Sequence, residues 1–344
     1  MAPISTQLNF PAVPTRLADR RPEVAVDSLI AGLTPPPLFA DVRFDSYRPD
    51  PAEPTQAEAA AVLRRFAAEL APPARKGLFR RSPPPAGPAG VYLDGGFGVG
   101  KTHLLASLWH AAPSPKAYVT FVELTQLAGA LGFARLVTEL SGMRLLAIDE
   151  FELDDPGDTV LVSTLLARLD EAGVRFAATS NTLPDRLGEE RFAAQDFLRE
   201  IQSMAARFAS VRVDGPDYRH RGLPAAPAPR NEAAVVEAAQ GAGASLDDFG
   251  ELLAQLATLH PSRYGALLDG VRRVCLTGVA PVPDQNVALR LVVLVDRLYD
   301  RQIELVTSGL QLDALFSAEM LAGGYRKKYR RAISRLVALA RLAA

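Results

Sequence analysis

The stretch Val91–Trp109, VYLDGGFGVGKTHLLASLW, decides the fold. An apolar run, a glycine-rich turn and a second apolar run follow one another within it. The turn fits G-x-x-x-x-G-K-[ST], with Gly95, Gly100, Lys101 and Thr102 at the fixed places. A strand in front and a helix behind give the context that makes this spacing a phosphate-binding loop. Glycines let backbone N–H groups turn inward around phosphate oxygens, and the helix opening at Thr102 adds the positive end of its dipole. Gly95, Gly96, Phe97, Gly98, Val99, Gly100, Lys101, Thr102 and His103 are therefore expected to cradle a nucleoside triphosphate, ATP or GTP. Lys101 is placed to reach the β- and γ-phosphates, and Thr102 to offer its hydroxyl to Mg2+.

Downstream, RLLAIDEFELDD (Arg144–Asp155) is an apolar strand ending in two adjacent acids. Asp149 is expected in the Mg2+ shell, and Glu150 beside it to orient and deprotonate an attacking water. A protein that only binds nucleotide has no use for that second acid, so the pair points to hydrolysis. RFAATSN (Arg175–Asn181) is another apolar strand with a polar tip, expected to lie beside the Asp149 strand and bring Asn181 to the γ-phosphate. Lys101, Glu150 and Asn181 form the expected catalytic set. LSGM (Leu140–Met143) abuts the Asp-Glu strand instead of lying well upstream of it, which sets an ABC-type reading aside.

Around these motifs the composition is that of a soluble protein, and a cytoplasmic location is expected. The 344 residues carry 38 Lys and Arg against 39 Asp and Glu, which argues against a general nucleic-acid coat. One cysteine, Cys275, fits a reducing compartment, and four scattered histidines offer no metal-site spacing. The N-terminus lacks a secretory pattern, and no window approaches the ~18–20 uninterrupted apolar residues of a membrane span.

The expected strands are 90–93, 117–121, 144–148, 175–179 and 210–213, with helices at 102–112, 122–131, 159–172 and 192–208 between them. A further helix, 54–70, is expected with Thr55 as its N-cap. Such alternation predicts an α/β fold, a parallel sheet flanked by helices. Residues 1–43 are expected as an arm, 44–218 as the P-loop core and 219–245 as a flexible linker. Residues 246–344 are expected as an α/β extension with a basic helical lid. That extension reads as a helix at 246–259, strands at 272–278 and 303–309, a helix near 286–301 and a final helix at 324–342. Residues 267–316 echo 138–187 at an offset of about 128, placing Thr277, Gly278 and Gly309 where Asp149, Glu150 and Asn181 stand. Two readings stay open: a degenerate duplication, or the ordinary likeness of two strand–helix–strand units. Either has the later strands extending the sheet.

Strand, P-loop, Asp-Glu strand and Asn-tipped strand together resemble the core of AAA+ ATPases. FDSYRPDPAEPTQAEAAAVL, GGFGVGKTHLL, IDEFELDDPGD, ATSNTLPDRL, VDGPDYRHR and YRRAISRL more closely resemble the ZapE-like cell-division ATPases, the AFG-type branch. The similarity runs from about Phe44 to the C-terminus and is weakest through 222–270. It implies an ATP- and Mg2+-dependent hydrolase acting on a protein partner, with the division protein FtsZ as the division-branch expectation. It also implies a ring-type homo-oligomer. A mitochondrial branch, tied to quality control of inner-membrane proteins, implies a membrane-protein substrate instead.

By the same resemblance, Glu53 and Gln56 match a D-x-x-Q element with Glu in place of Asp, and are candidates to touch adenine. Arg331 and Arg335, one helical turn apart, are candidate sensor arginines. The trans-acting arginine finger is first sought at Arg207, then Arg199 and Arg191. The tail 320–344 has seven basic residues and no acidic one, which suits an acidic partner, anionic lipid or nucleic acid. A nucleic-acid-binding loader is the rival reading, with RKGLFRR (Arg75–Arg81) as its further basic segment.

Overall fold

The computed structural model describes residues 14–23, 26–71, 88–96, 98–153, 156–184, 187, 194–216 and 226–343. The chain divides into two compact units, Val26–Gly222 and the combination of Met1–Ala25 with Leu223–Ala344.

The first unit contains α1 (Val26–Ala31), α2 (Pro54–Glu69), β1 (Gly90–Asp94) and α3 (Lys101–Ala111). It continues with β2 (Lys116–Thr120), α4 (Phe121–Leu131), α5 (Phe133–Leu140), β3 (Leu145–Asp149) and α6 (Pro156–Glu171). β4 (Arg175–Ser180), α7 (Leu198–Ala205) and β5 (Phe208–Arg212) complete it. Among the described residues its five strands are all parallel, in the order β2-β3-β4-β1-β5. The Asn181 strand therefore lies between the P-loop strand and the Asp149 strand.

Period-two alternation sends Val91 and Leu93 to one face of this sheet and Tyr92 to the other. The first face packs Leu63 and Phe66 of α2 with Leu104, Leu105 and Leu108 of α3. The second packs Leu124, Leu136, Val162, Leu165 and Ile201 from α4 to α7. Each fully buried Leu or Phe contributes about 1.5–3 kcal/mol relative to exposure. Helix α4 starts in a capping box, with Thr120 Oγ1 accepting from Glu123 N and Glu123 accepting from Thr120 N. Gly132, at φ 79°, separates it from α5, a helix the sequence pattern did not announce.

Several boundaries differ from expectation. Glu53, not Thr55, occupies the N-cap of α2, because Pro54 takes the first helical position and Thr55 Oγ1 accepts from Asp214 N at 2.9 Å. The helix expected over 192–208 is a short 3-10 turn, Ala194–Phe197, followed by α7, and Phe208 begins β5. Phe208 is drawn into the strand by edge-to-face contacts with Tyr92 and Phe151.

The second unit contains α8 (Glu232–Ala238), β6 (Ala244–Asp248), α9 (Phe249–Thr258), α10 (Tyr264–Leu267) and β7 (Arg273–Val279). After these come α11 (Gln285–Asp300), β8 (Glu304–Gly309), α12 (Ala318–Ala322) and α13 (Arg326–Leu342). The expectation that β7 and β8 extend the first sheet is not met. They join β6 in a separate parallel sheet, β6-β7-β8, with its own core. The physical reason is β6, hidden at the start of what reads as one helix, 246–259. Asp248 ends that strand and caps α9 through Glu251 N, so a single residue switches the period from two to 3.6.

The segment expected as a flexible linker carries α8; Val235 of that helix and Ala239 just after it bury against Cys275 and Val306. The segment expected as an arm is also engaged. Thr15 bridges Ser245, and Leu17 is fully buried in the second unit's core. β7, α11 and β8 follow β3, α6 and β4 at the echoed offset, as a second strand–helix–strand unit.

Candidate functional site

β1 ends at Asp94, and the loop turns through Gly95, Gly98 and Gly100, all at positive φ, into α3. Two of these glycines are required by close approach. A Cβ on Gly95 would lie 2.0 Å from Val213 O, and one on Gly100 would lie 2.8 Å from Tyr47 Cε2. Phe97 lies outside the described residues.

Lys101 is buried, and its Nζ donates to Gly95 O at 2.8 Å, to Gly96 O and to Asn181 Oδ1 at 2.9 Å. Thr102 Oγ1 donates to Asp149 Oδ1 at 3.3 Å. Asp149, also buried, accepts from Tyr118 OH at 2.9 Å, from Thr179 Oγ1 and from Glu150 N at 3.1 Å. Three separate segments thus bring the hydrogen-bonded pairs Lys101–Asn181 and Thr102–Asp149 to the carboxyl ends of β1, β3 and β4.

Glu150 follows at φ 54°, a left-handed backbone for a non-glycine residue, and its N–H also donates to Thr179 Oγ1 at 3.0 Å. Phe151 anchors the next step. It is fully buried, its N–H donates to Thr179 O at 2.7 Å, and its ring packs edge-on against Tyr92 and Phe121. On the other side, Tyr92 OH donates to Thr182 O at 2.9 Å and pins the loop that carries Asn181. Burial pushes the Tyr92 hydroxyl far above its ordinary range, so it serves as a neutral donor.

Tyr118, Thr179, Tyr47 and Glu152 were not legible in the motifs. Tyr118 and Thr179 reach Asp149 from neighbouring strands, which a local pattern cannot show. Tyr47 donates to Val99 O at 3.3 Å and lies beside the His103 ring. His103 Nε2 also meets Ser46 Oγ at 3.1 Å. Burial holds its imidazole below the ordinary histidine range, against a hydrogen bond to the Arg43 carbonyl that acts the other way. Glu152 accepts from Asn181 Nδ2 at 3.2 Å.

The donor set suits Mg2+: one hydroxyl and one carboxylate oxygen side by side, hard oxygens of the kind that bind this ion together with substrate phosphates. Among the described residues no group of three or more His, Cys, Asp or Glu gathers as a metal cage.

Gln56 is buried with its amide committed to backbone, donating to Asp214 O at 2.8 Å and accepting from Asp50 N at 2.9 Å. It ties the segment before α2 to the one after β5; Glu53 stands at the N-cap. Arg207 pairs with Asp170 at 3.4 Å and donates to Ser203 Oγ at 2.8 Å. Arg199 is exposed on α7. Arg191, the DYRHR element and RKGLFRR lie outside the described residues. Within the second unit, Arg331 pairs with Asp296 at 3.1 Å, and Arg335 pairs with the other oxygen of the same carboxylate. Among the described residues no helix is long and apolar enough to cross a membrane.

The profile of the AFG1-like ATPase family matches residues 24–241 and 234–343. An uncharacterised protein of Schizosaccharomyces pombe is 29% identical over 155 residues, 40% of this chain and 34% of that protein. The chain thus spans about a third of the length of that curated relative. Among solved structures, DnaI aligns with a TM-score of 0.41 at 17% identity, over 53% of this chain and 93% of its own. Domain III of the Thermotoga maritima replication initiator DnaA aligns with a TM-score of 0.39 at 18% identity, over 52% of this chain and 69% of its own.

Proposed function

We propose that this chain, which belongs to the AFG1-like ATPase family, hydrolyses ATP at the Lys101–Asp149–Asn181 cluster and couples the energy to remodelling of a protein partner. The observation that carries the reading is the convergence of the P-loop lysine, the Thr102–Asp149 oxygen pair and Asn181 at one sheet edge.

In this reading the loop N–H groups and Lys101 hold the triphosphate and neutralise charge on its terminal oxygens. Thr102 and Asp149 would hold Mg2+, which when bound supplies further charge neutralisation there. Glu150 accepts the proton of the water that attacks the γ-phosphorus in line, and Asn181 orients that water. ADP leaves as the β,γ-bridging bond breaks, and inorganic phosphate is released. An arginine from a neighbouring copy would complete the site, a contribution of roughly 10³-fold or more in comparable systems. Arg199 suits that part by its exposure, whereas Arg207 is already engaged with Asp170. A sensor role for Arg331 or Arg335 would require exchange of Asp296 for a phosphate oxygen. A ring-type homo-oligomer follows from a trans arginine. An FtsZ-type division protein is the partner we favour, on the motif resemblance to the ZapE-like branch.

Phosphate release from ATP by the purified chain tests the reading, with Lys101→Ala as the control expected to abolish it. Absence of nucleotide-dependent turnover in the unaltered chain would overturn it. Specific activity should rise steeply with protein concentration if the arginine acts in trans. Stimulation by polymerised FtsZ supports the division partner, and stimulation by DNA alone supports the loader reading instead.

A further inference from the structure

Asn181 is gripped at both ends. Its Oδ1 accepts from Lys101 Nζ at 2.9 Å, and its Nδ2 donates to Glu152 Oε1 at 3.2 Å. An amide has one accepting and one donating end, so a cation on one side and a carboxylate on the other select a single orientation. Glu152 is itself steadied: its chain neighbours Phe151 and Leu153 are both buried in the core beneath the sheet edge. Asn181 is steadied from its own strand, because Thr182 N donates to Ser180 Oγ at 3.0 Å and Thr182 O accepts from Tyr92. Within this loop Glu150 is tied to Asp149 and Thr179 through its backbone N–H, whereas Glu152 meets Asn181 through its carboxylate.

We propose that Glu152 is a positioning residue for ATP hydrolysis: its carboxylate fixes the Asn181 amide with oxygen toward Lys101 and NH2 toward the loop after β3. The inference rests on the ATPase reading of this site. Without Glu152 the amide rotates about its terminal torsion, which has two broad minima, and presents a donor to Lys101 in part of the population. Glu152 differs from Glu150 in function, since a positioning acceptor can be replaced by any acceptor of like reach, whereas a base cannot.

Steady-state hydrolysis separates these roles. Glu152→Ala should lower kcat about tenfold with KM for ATP within about twofold, because a lost charged acceptor acts on orientation more than on ground-state binding. Glu152→Gln, which keeps an acceptor oxygen, should retain at least about a third of kcat. In an Asn181→Ala background, Glu152→Ala should change kcat by less than about twofold, since partners acting through one contact are not additive. Turnover of Glu152→Ala equal to wild type would overturn the proposal. So would Glu152→Gln losing as much as Glu152→Ala, or a full additional loss in the Asn181→Ala background.

A second readout is independent of turnover. The Asn181 side-chain NH2 signal, assigned by its disappearance in Asn181→Ala, should shift and exchange faster with solvent in Glu152→Ala but not in Glu152→Gln. An unchanged signal in Glu152→Ala overturns the hold on Asn181 even if the chain hydrolyses no ATP, a result that would sink the site reading itself. Matching melting curves for the variants separate both outcomes from misfolding.

Discussion

Glu150 and Gly278, 128 positions apart in the sequence, share a left-handed backbone, at φ 54° and φ 65°. Glu150 directly follows β3, the first strand of β3-α6-β4, and Gly278 is the penultimate residue of β7, the first strand of β7-α11-β8. Glycine adopts this conformation without steric cost, and glutamate does not. At the echoed positions one unit carries an acid and the other a glycine.

Glu150 should therefore carry strain at the point where its carboxylate is needed. Glu150→Gly is expected to raise stability by about 1 kcal/mol while abolishing hydrolysis, because a left-handed non-glycine residue costs about that much. Glu150→Gln should leave both the strain and ATP binding in place and remove turnover. Urea denaturation with a parallel phosphate-release assay checks the trio; a destabilised Glu150→Gly would contradict the strain argument.

Gly100 is caught between its own φ of 90° and the Tyr47 ring, 2.8 Å from where a Cβ would stand. Gly100→Ala should destabilise the chain by about 1–3 kcal/mol and weaken ATP binding at least tenfold. Adding Tyr47→Ala should recover only part of that loss, since the backbone strain persists when the clash is removed. Fluorescent-nucleotide titration of the single and double variants measures the recovery.

Tyr118 reaches Asp149 from the next strand, with both groups buried. Tyr118→Phe deletes one donor to the carboxylate without changing shape, and should cost about 1–3 kcal/mol in stability. ATPase activity should also need more Mg2+ to reach half its maximum. Denaturation curves and a Mg2+ titration of turnover test the two effects.

Asp296 holds Arg331 and Arg335 together between α11 and α13. Burial would push its carboxyl up, but the two guanidiniums outweigh that and hold it below the usual range. A depressed carboxylate stabilises the fold above its unfolded value, about 3.9, and that stabilisation is lost as pH falls through the lower folded value. Asp296→Ala should cost about 2–4 kcal/mol at neutral pH by leaving two cations without their shared anion. It should also flatten the acid limb of a stability–pH curve below about pH 4. An unaltered acid limb would remove Asp296 from the role of linchpin for α13.

Local chemistry alone made part of the molecule legible. The spacing of Gly95, Gly100, Lys101 and Thr102, the strand-terminal acids Asp149 and Glu150, and the polar tip at Asn181 each announce themselves within a dozen residues. Hydrogen-bond geometry and helix dipoles act over that range, so pattern and chemistry coincide there. Strand–helix alternation likewise forces a parallel sheet, because a parallel connection needs a crossover.

Only the tertiary structure decided which strands share a sheet, since pairing depends on long-range burial that no local period records. β7 and β8 have the same sequence character as β3 and β4, yet join β6 around a separate core. The supports of the site, Tyr47, Tyr118, Thr179 and Glu152, were invisible for the same reason. Each acts on a residue distant in sequence or across a turn of the loop, and their contacts exist only once the strands stand side by side. The sequence named the candidate groups of the site; the packing of the sheet determined what touches them.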